Sequence, residues 1–283
     1  MMSSTAVMSE GDVTLAHATG TRPAYFVEQG NGVFRPTPAA AGGGSEGALI
    51  GRALVGLAAS TLERKYGALG FFPARLTIDL LKPAHELPTH TQTRLVRRGQ
   101  RMRTAECDIM QDDWIVARAT LLQYRLSQAP AGELWEPEST FAPPRAADNG
   151  GDVVYLSSDS VEWSPAGPQH QNADRKRGYH RGLDAVAGLE ATPFVRAAIV
   201  AEAVTHLVTH LGTNGIGYLN GDLTVALARQ PRNELLGVRA DSHLAADGVS
   251  VGNATLFDAA GPFGTATVTA VADPNARIAF GRN

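Results

Sequence analysis

The sequence predicts an α+β fold built as two repeats, each a long central helix wrapped by an antiparallel β-sheet. Three observations carry this expectation. The strand core Arg75-Leu76-Thr77-Ile78-Asp79-Leu80-Leu81-Lys82-Pro83 recurs as Asp222-Leu223-Thr224-Val225-Ala226-Leu227-Ala228-Arg229-Gln230-Pro231, with Leu76 and Leu223 147 positions apart (223 − 76 = 147). Ser45 and Thr192, which open two apolar helices, keep that distance (192 − 45 = 147). So do Ile115-Val116-Ala117-Arg118-Ala119-Thr120 and Pro262-Phe263-Gly264-Thr265-Ala266-Thr267 (262 − 115 = 147). A helix and several long strands repeated at one offset point to two copies of one unit.

Each element has a local reason. Residues 1–22 read as a flexible N-terminus, and residues 23–126 as the first unit. Tyr25-Phe26-Val27 and Val33-Phe34 flank Gln29-Gly30-Asn31-Gly32, a hairpin turn. Gly42-Gly43-Gly44 leads to Ser45, a good N-cap for a helix over residues 45–66. That helix carries Gly47, Gly51 and Gly56, each costing about 1 kcal/mol relative to alanine, so they report close backbone approach. Between Gly47 and Thr61 only Arg52 breaks the apolar run, so the helix is buried on most sides. Strands follow over 74–82, 91–97, 103–110 and 114–125, with turns at Gly99 and Asp112-Asp113. Residues 127–150, with Pro143-Pro144, form the linker, and residues 151–273 the second unit. Strands at 153–156 and 160–163 open it, a polar loop spans 165–181, and Thr192-Pro193 starts a helix that runs to Leu211. Strands at 218–228, 235–245, 249–257 and 263–272 complete the repeat, and residues 274–283 form a tail.

With 43% hydrophobic and 19% charged residues among 283, the chain can bury a full core. A net charge of −3 argues against nucleic acid or an anionic membrane as the main partner. The single cysteine, Cys107, excludes an internal disulfide and fits a reducing compartment. Met1 to Gly20 lacks the apolar stretch of a signal peptide, and no run of about 18 apolar residues suggests a membrane span. The cytoplasm is the expected location.

Glu202 is the residue that most needs a reason, because it interrupts the apolar run Ala197–Val204. Burial of an unpaired carboxylate is costly and raises its pKa. A general base fits, and so does an acid at an exposed helix edge or one paired with an arginine. Glu202, His206 and His210 share one helix face, but they do not form H-E-x-x-H and lack a convergent ligand from elsewhere, so no metal is expected. The histidines read instead as favouring the helix macrodipole near its C-terminus. Arg97-Arg98-Gly99-Gln100-Arg101-Met102-Arg103 could grip phosphates but reads as a solvated turn, and Asp174-Arg175-Lys176-Arg177 as a mobile basic loop. No Lys-Ser/Thr follows Gly42–Gly44, no G-x-S-x-G occurs, and Cys107 has no evident base, so neither phosphate-cradle nor nucleophile chemistry is indicated.

The chain resembles the acyl-CoA thioesterase II-like group with a tandem, or double, hot-dog fold. The likeness rests on Gly43-Gly44, Ala48-Leu49-Ile50-Gly51-Arg52-Ala53, Arg75–Pro83, Val96-Arg97-Arg98-Gly99-Gln100-Arg101 and Ala117-Arg118-Ala119 in the first half. In the second half it rests on Asn220-Gly221-Asp222-Leu223-Thr224-Val225, Asp247-Gly248-Val249 and Gly261-Pro262-Phe263-Gly264, and it spans roughly residues 24–273. The resemblance implies hydrolysis of an acyl-CoA or related thioester by water that an acid, a Thr or Asn, and a Gln orient. Those positions fall on Glu202, Asn220 and Val268, so the acid is a methylene longer than the usual Asp and the Gln is lost. Valine cannot hydrogen-bond a water. An acyl or acyl-CoA binding protein that has lost turnover is therefore the alternative; a hot-dog hydratase fits poorly. No cofactor is implied, and a homo-oligomer of double hot-dogs is compatible with the family.

Overall fold

The computed structural model describes residues 22–42, 47–135, 152–273 and 279–280. The expected N-terminal segment up to residue 21, Gly43 to Ser45, most of the linker with Pro143-Pro144, and most of the tail lie outside the described residues.

In chain order the first half supplies β1 (Ala24–Gly30), β2 (Val33–Pro36), α1 (Gly51–Tyr66), β3 (Phe71–Leu80), β4 (Thr89–Arg98), β5 (Met102–Gln111) and β6 (Trp114–Arg125). The second supplies β7 (Tyr155–Ser158), β8 (Ser164–Pro165), β9 (Lys176–His180), β10 (Asp184–Val186), α2 (Pro193–His210), β11 (Tyr218–Asn220), β12 (Asp222–Leu227), β13 (Leu236–Ala246), β14 (Val249–Asp258) and β15 (Gly261–Ala272). Long strands keep the offset read from the sequence: β5 and β14 start 147 residues apart (249 − 102 = 147), as do β6 and β15 (261 − 114 = 147).

The helix starts do not keep it. Thr192 caps α2, its hydroxyl accepting from the Val195 amide at 3.2 Å. By contrast α1 begins at Gly51, not at residue 45, because Ala48 and Leu49 are held in β-bridges to His85 and Ala41. Ile50 is still extended (φ −75°, ψ 145°) and offers no side-chain cap. The first turn of α1 thus presents backbone donors without a local acceptor.

The strands join in one sheet ordered β10-β1-β2-β4-β5-β6-β3-β12-β15-β14-β13-β9-β7-β8, with β11 beside β15. The halves meet at β3 and β12, antiparallel, with Leu76 opposite Val225, Thr77 opposite Thr224 and Ile78 opposite Leu223. At the centre a residue faces its own counterpart (224 − 77 = 147), so the seam has local two-fold character. A second tie is the parallel pairing of β1 with β10, Ala24 opposite Asp184 and Phe26 opposite Val186.

Both helices lie in the core and touch each other. A Cβ built on Gly56 would sit 3.0 Å from Ile199 Cδ1, and one on Gly51 would sit 2.1 Å from Glu202 Oε1. The glycines within α1 therefore mark the helix–helix approach, and they tolerate their intrinsic cost for that reason.

Three local expectations fail. Residues 165–181 are not a plain loop, because β9 within them pairs with both β7 and β13. Nor is the basic segment mobile: Lys176 is fully buried, its amine donating to the carbonyls of Asn172 and Asp174 and to Asn172 Oδ1 at 2.8–3.1 Å. Arg175 donates to Asp241 and Arg177 to Asp159, so its charges are engaged locally. The 218–228 strand is also interrupted. Between Asn220 opposite Ala270 and Thr224 opposite Thr267, four steps on one strand face three on the other, a bulge at Gly221-Asp222. No helix among the described residues is long and apolar enough to cross a membrane.

Candidate active site

Glu202 projects from the middle of α2 toward the open first turn of α1. The Arg52 backbone amide hydrogen-bonds its carboxylate, and Gly51 leaves the space its Oε1 occupies. Burial pushes the carboxyl up to about 7, against the opposing pull of the Arg52 guanidinium and amide. A cation and a helix N-terminus would normally hold an acid low, so desolvation outweighs both here. Asp152 adds its own negative charge in the same direction as burial.

Behind Glu202 lies a polar cluster. Asp152 accepts from Tyr25 Oη at 3.0 Å and from Arg52 Nε and Nη2 at 3.2 and 2.8 Å. His180 Nε2 lies 2.8 Å from Asp152 Oδ1 and must be the donor, since an ionised carboxylate only accepts. Burial disfavours the Asp152 charge, but the His180 hydrogen bond and then Arg52 bring it down to about 2. Tyr25 is pushed up, first by its own burial and then by Asp152. Two carboxylates thus sit near one guanidinium with their pKa values driven apart, Asp152 fixed as the anion and Glu202 able to exchange a proton near neutrality.

Sequence reasoning missed Asp152, Tyr25 and His180, which stand 100, 27 and 128 residues from Arg52 in the chain. One signal was available: a lone arginine in an apolar helix requires a buried acceptor from elsewhere.

Asn220 and Val268 share a face. Asn220 pairs with Ala270, and Val268 stands two residues along β15 on the same inward side, so the two are diagonal neighbours. Both polar atoms of the Asn220 side chain are buried without a partner. Val268 is fully buried and pairs with Gly252, where a Cβ would meet Thr209 and His210 of α2. This face of the sheet therefore lies against α2, the helix that carries Glu202.

The histidines of α2 are not charged partners of the helix dipole, contrary to the sequence reading. Burial drives His206 down to about 4 and His210 to about 3. His210 is held on both nitrogens, 2.8 Å from Thr209 Oγ1 and 2.7 Å from Ser250 Oγ. Its ring lies 4.7 Å from that of His206, tilted, and 4.8 Å edge-on from that of His243. Among the described residues no three His, Cys, Asp or Glu side chains are arranged to hold a metal ion. The turn with Arg97, Arg98 and Arg101 is exposed, and Cys107 is buried, its thiol pushed up to about 12.

One large, mainly antiparallel sheet with two helices packed on it and on each other is the frame that holds this acid. Residues 40–124 match the acyl-CoA thioesterase N-terminal domain and residues 133–272 the acyl-CoA thioesterase C-terminal domain, and the chain belongs to that family. Its fold is shared with a protein provisionally named thioesterase II from Thermobifida fusca YX, at TM-score 0.66 and 18% identity over 90% of this chain and 100% of that one. An acyl-CoA thioesterase II, TesB2, from Mycobacterium marinum aligns at TM-score 0.63 and 12% identity over 91% and 97% of the two chains. A hot-dog protein of unknown function from Alicyclobacillus acidocaldarius aligns at 0.65 and 13%, over 88% and 95%. No sequence among the curated proteins matches the chain.

Proposed function

We propose that this protein hydrolyses an acyl-CoA or related acyl thioester, with Glu202 as the general base. The observation that carries this is the position and ionisation of Glu202, a carboxylate near 7 against the uncapped first turn of α1. In the reaction, water attacks the thioester carbonyl carbon while Glu202 takes its proton. The carbonyl oxygen, now negative, takes over the α1 amide donors that Glu202 meets in the free protein. The C–S bond then breaks, and Glu202 returns the proton to the leaving thiolate, giving a carboxylic acid and free coenzyme A. Asn220 stands ready to orient the water, and Val268 contributes only apolar packing. On this reading residues 23–126 and 151–273 are two copies of one hot-dog unit, joined about the Thr77–Thr224 pair.

The test is thiol release from a series of short- to long-chain acyl-CoAs by wild type and Glu202→Gln. Loss of about 10²–10⁴-fold is expected on removal of a general base. Turnover unchanged in Glu202→Gln refutes the assignment. Val268 favours one other reading, a binding protein without turnover. Acyl-CoA bound but not hydrolysed, by wild type and by Val268→Gln alike, would select that reading.

A further inference from the structure

Resting on Glu202 as the base, we propose that His206 is a water-positioning residue of the same site, supplying the acceptor that Val268 lacks. His206 lies one turn after Glu202, at the i+4 position, so the two side chains share one face of α2. Its Nε2 is buried and meets no hydrogen-bond partner. On this proposal the ring's interaction with the backbone of Tyr218 is made by Nδ1–H to the carbonyl there. Nε2 is thereby left with a free lone pair.

The comparison with His210 makes the point. One turn further on, that ring has both nitrogens engaged, by Thr209 and Ser250, as a structural core histidine should. In His206, by contrast, Nε2 is buried with no partner. The ring interacts with the backbone of Tyr218 in β11, and Asn220, two residues along β11, has an unpartnered carbonyl oxygen and amide of its own. Buried polar atoms left without partners in one layer between α2 and β11 call for a small polar guest. A water there can give one proton to Glu202 and hydrogen-bond through its other proton to His206 Nε2.

The experiment is steady-state kinetics of wild type, His206→Leu, His206→Gln and Glu202→Gln on one acyl-CoA that wild type hydrolyses, with thermal melting to verify folding. His206→Leu keeps the packing volume but removes the acceptor. It is expected to lower kcat by about 10²-fold, the scale of a misplaced reactant, with KM little changed. His206→Gln, whose side-chain oxygen can accept, is expected to recover most of that loss. A His206→Leu enzyme with wild-type kcat, where Glu202→Gln is inactive, overturns the role of His206 and leaves the base assignment standing. A folded His206→Gln as slow as His206→Leu also overturns it, because no acceptor was then missing. No thiol release from wild type, or turnover indifferent to Glu202→Gln, overturns the base and this role together.

Discussion

At the scale of single residues, Glu202 ties activity and stability to pH in opposite directions. As a base it must be ionised, so kcat/KM is expected to rise by one proton's titration through about pH 7 and to level above it. A pH–rate profile flat from 5 to 9 would remove Glu202 from the mechanism. For stability, the folded carboxyl near 7 stands above its ordinary 4.5. Between those values the folded state holds the proton more tightly than the unfolded chain, so stability falls as pH rises through that window. Glu202→Gln mimics the protonated form, and it should match wild type near pH 4 and exceed it above pH 7 by on the order of 3 kcal/mol. Thermal melts at the two pH values check this, and a variant less stable than wild type at pH 8 would contradict it. Glu202 stood out in the sequence as an acid within an apolar run, and its burial beside Arg52 is what the structure adds. The burial of His206 and His210 was not legible, since spacing alone cannot tell a charged histidine at a helix end from a neutral one buried there.

At the scale of elements, the first turn of α1 is where the candidate site is assembled. Arg52 couples that turn to Asp152, at side-chain exposures of 23% and 20%, and Asp152 in turn collects Tyr25 of β1 and His180 of β9. Replacing Asp152 with Asn takes a negative charge away from Glu202 and frees Arg52 to serve it. The acidic limb of the pH–rate profile should therefore move to lower pH, and the melting temperature should fall because three side chains lose their common acceptor or its charge. An unmoved acidic limb would separate the cluster from catalysis. Gly51→Ala is a second test of the same turn: its methyl would fall 2.1 Å from Glu202 Oε1, so the carboxylate must leave its place. A large loss of kcat with a folded protein is expected. The strands of this half were readable from the repeated core segments and the turns at Gly99 and Asp112-Asp113. The start of α1 was not, because the bridges that keep Ala48 and Leu49 extended come from His85 and Ala41, contacts invisible to a local pattern. Likewise β9 is hidden by its polar composition, since its ladder partners and the buried bonds of Lys176 decide its state.

At the scale of the whole molecule, the sheet binds the halves into one thermodynamic unit. The seam between β3 and β12 places Leu76 and Leu223, both essentially without solvent contact, beside Val225 and Ile78 across the join. The β1–β10 pairing ties the halves again at the far edge, and α1 meets α2 at Gly56 and Ile199. Separating the halves would leave open edges on β3 and β12 and expose a helix face each, a state with unpaired backbone and bare apolar surface. Neither half should therefore survive the unfolding of the other. Calorimetry is expected to show one transition with equal calorimetric and van't Hoff enthalpies, despite the length of the chain. Leu76→Ala, a substitution that typically costs about 2–5 kcal/mol in a core, should lower that single transition as a whole. The signal of Trp163 in the second half should then shift together with that of Trp114 in the first, although the mutation lies in only one half. Two resolved transitions, with only one moved by Leu76→Ala, would mean that the seam is a contact between independent domains rather than part of a shared core.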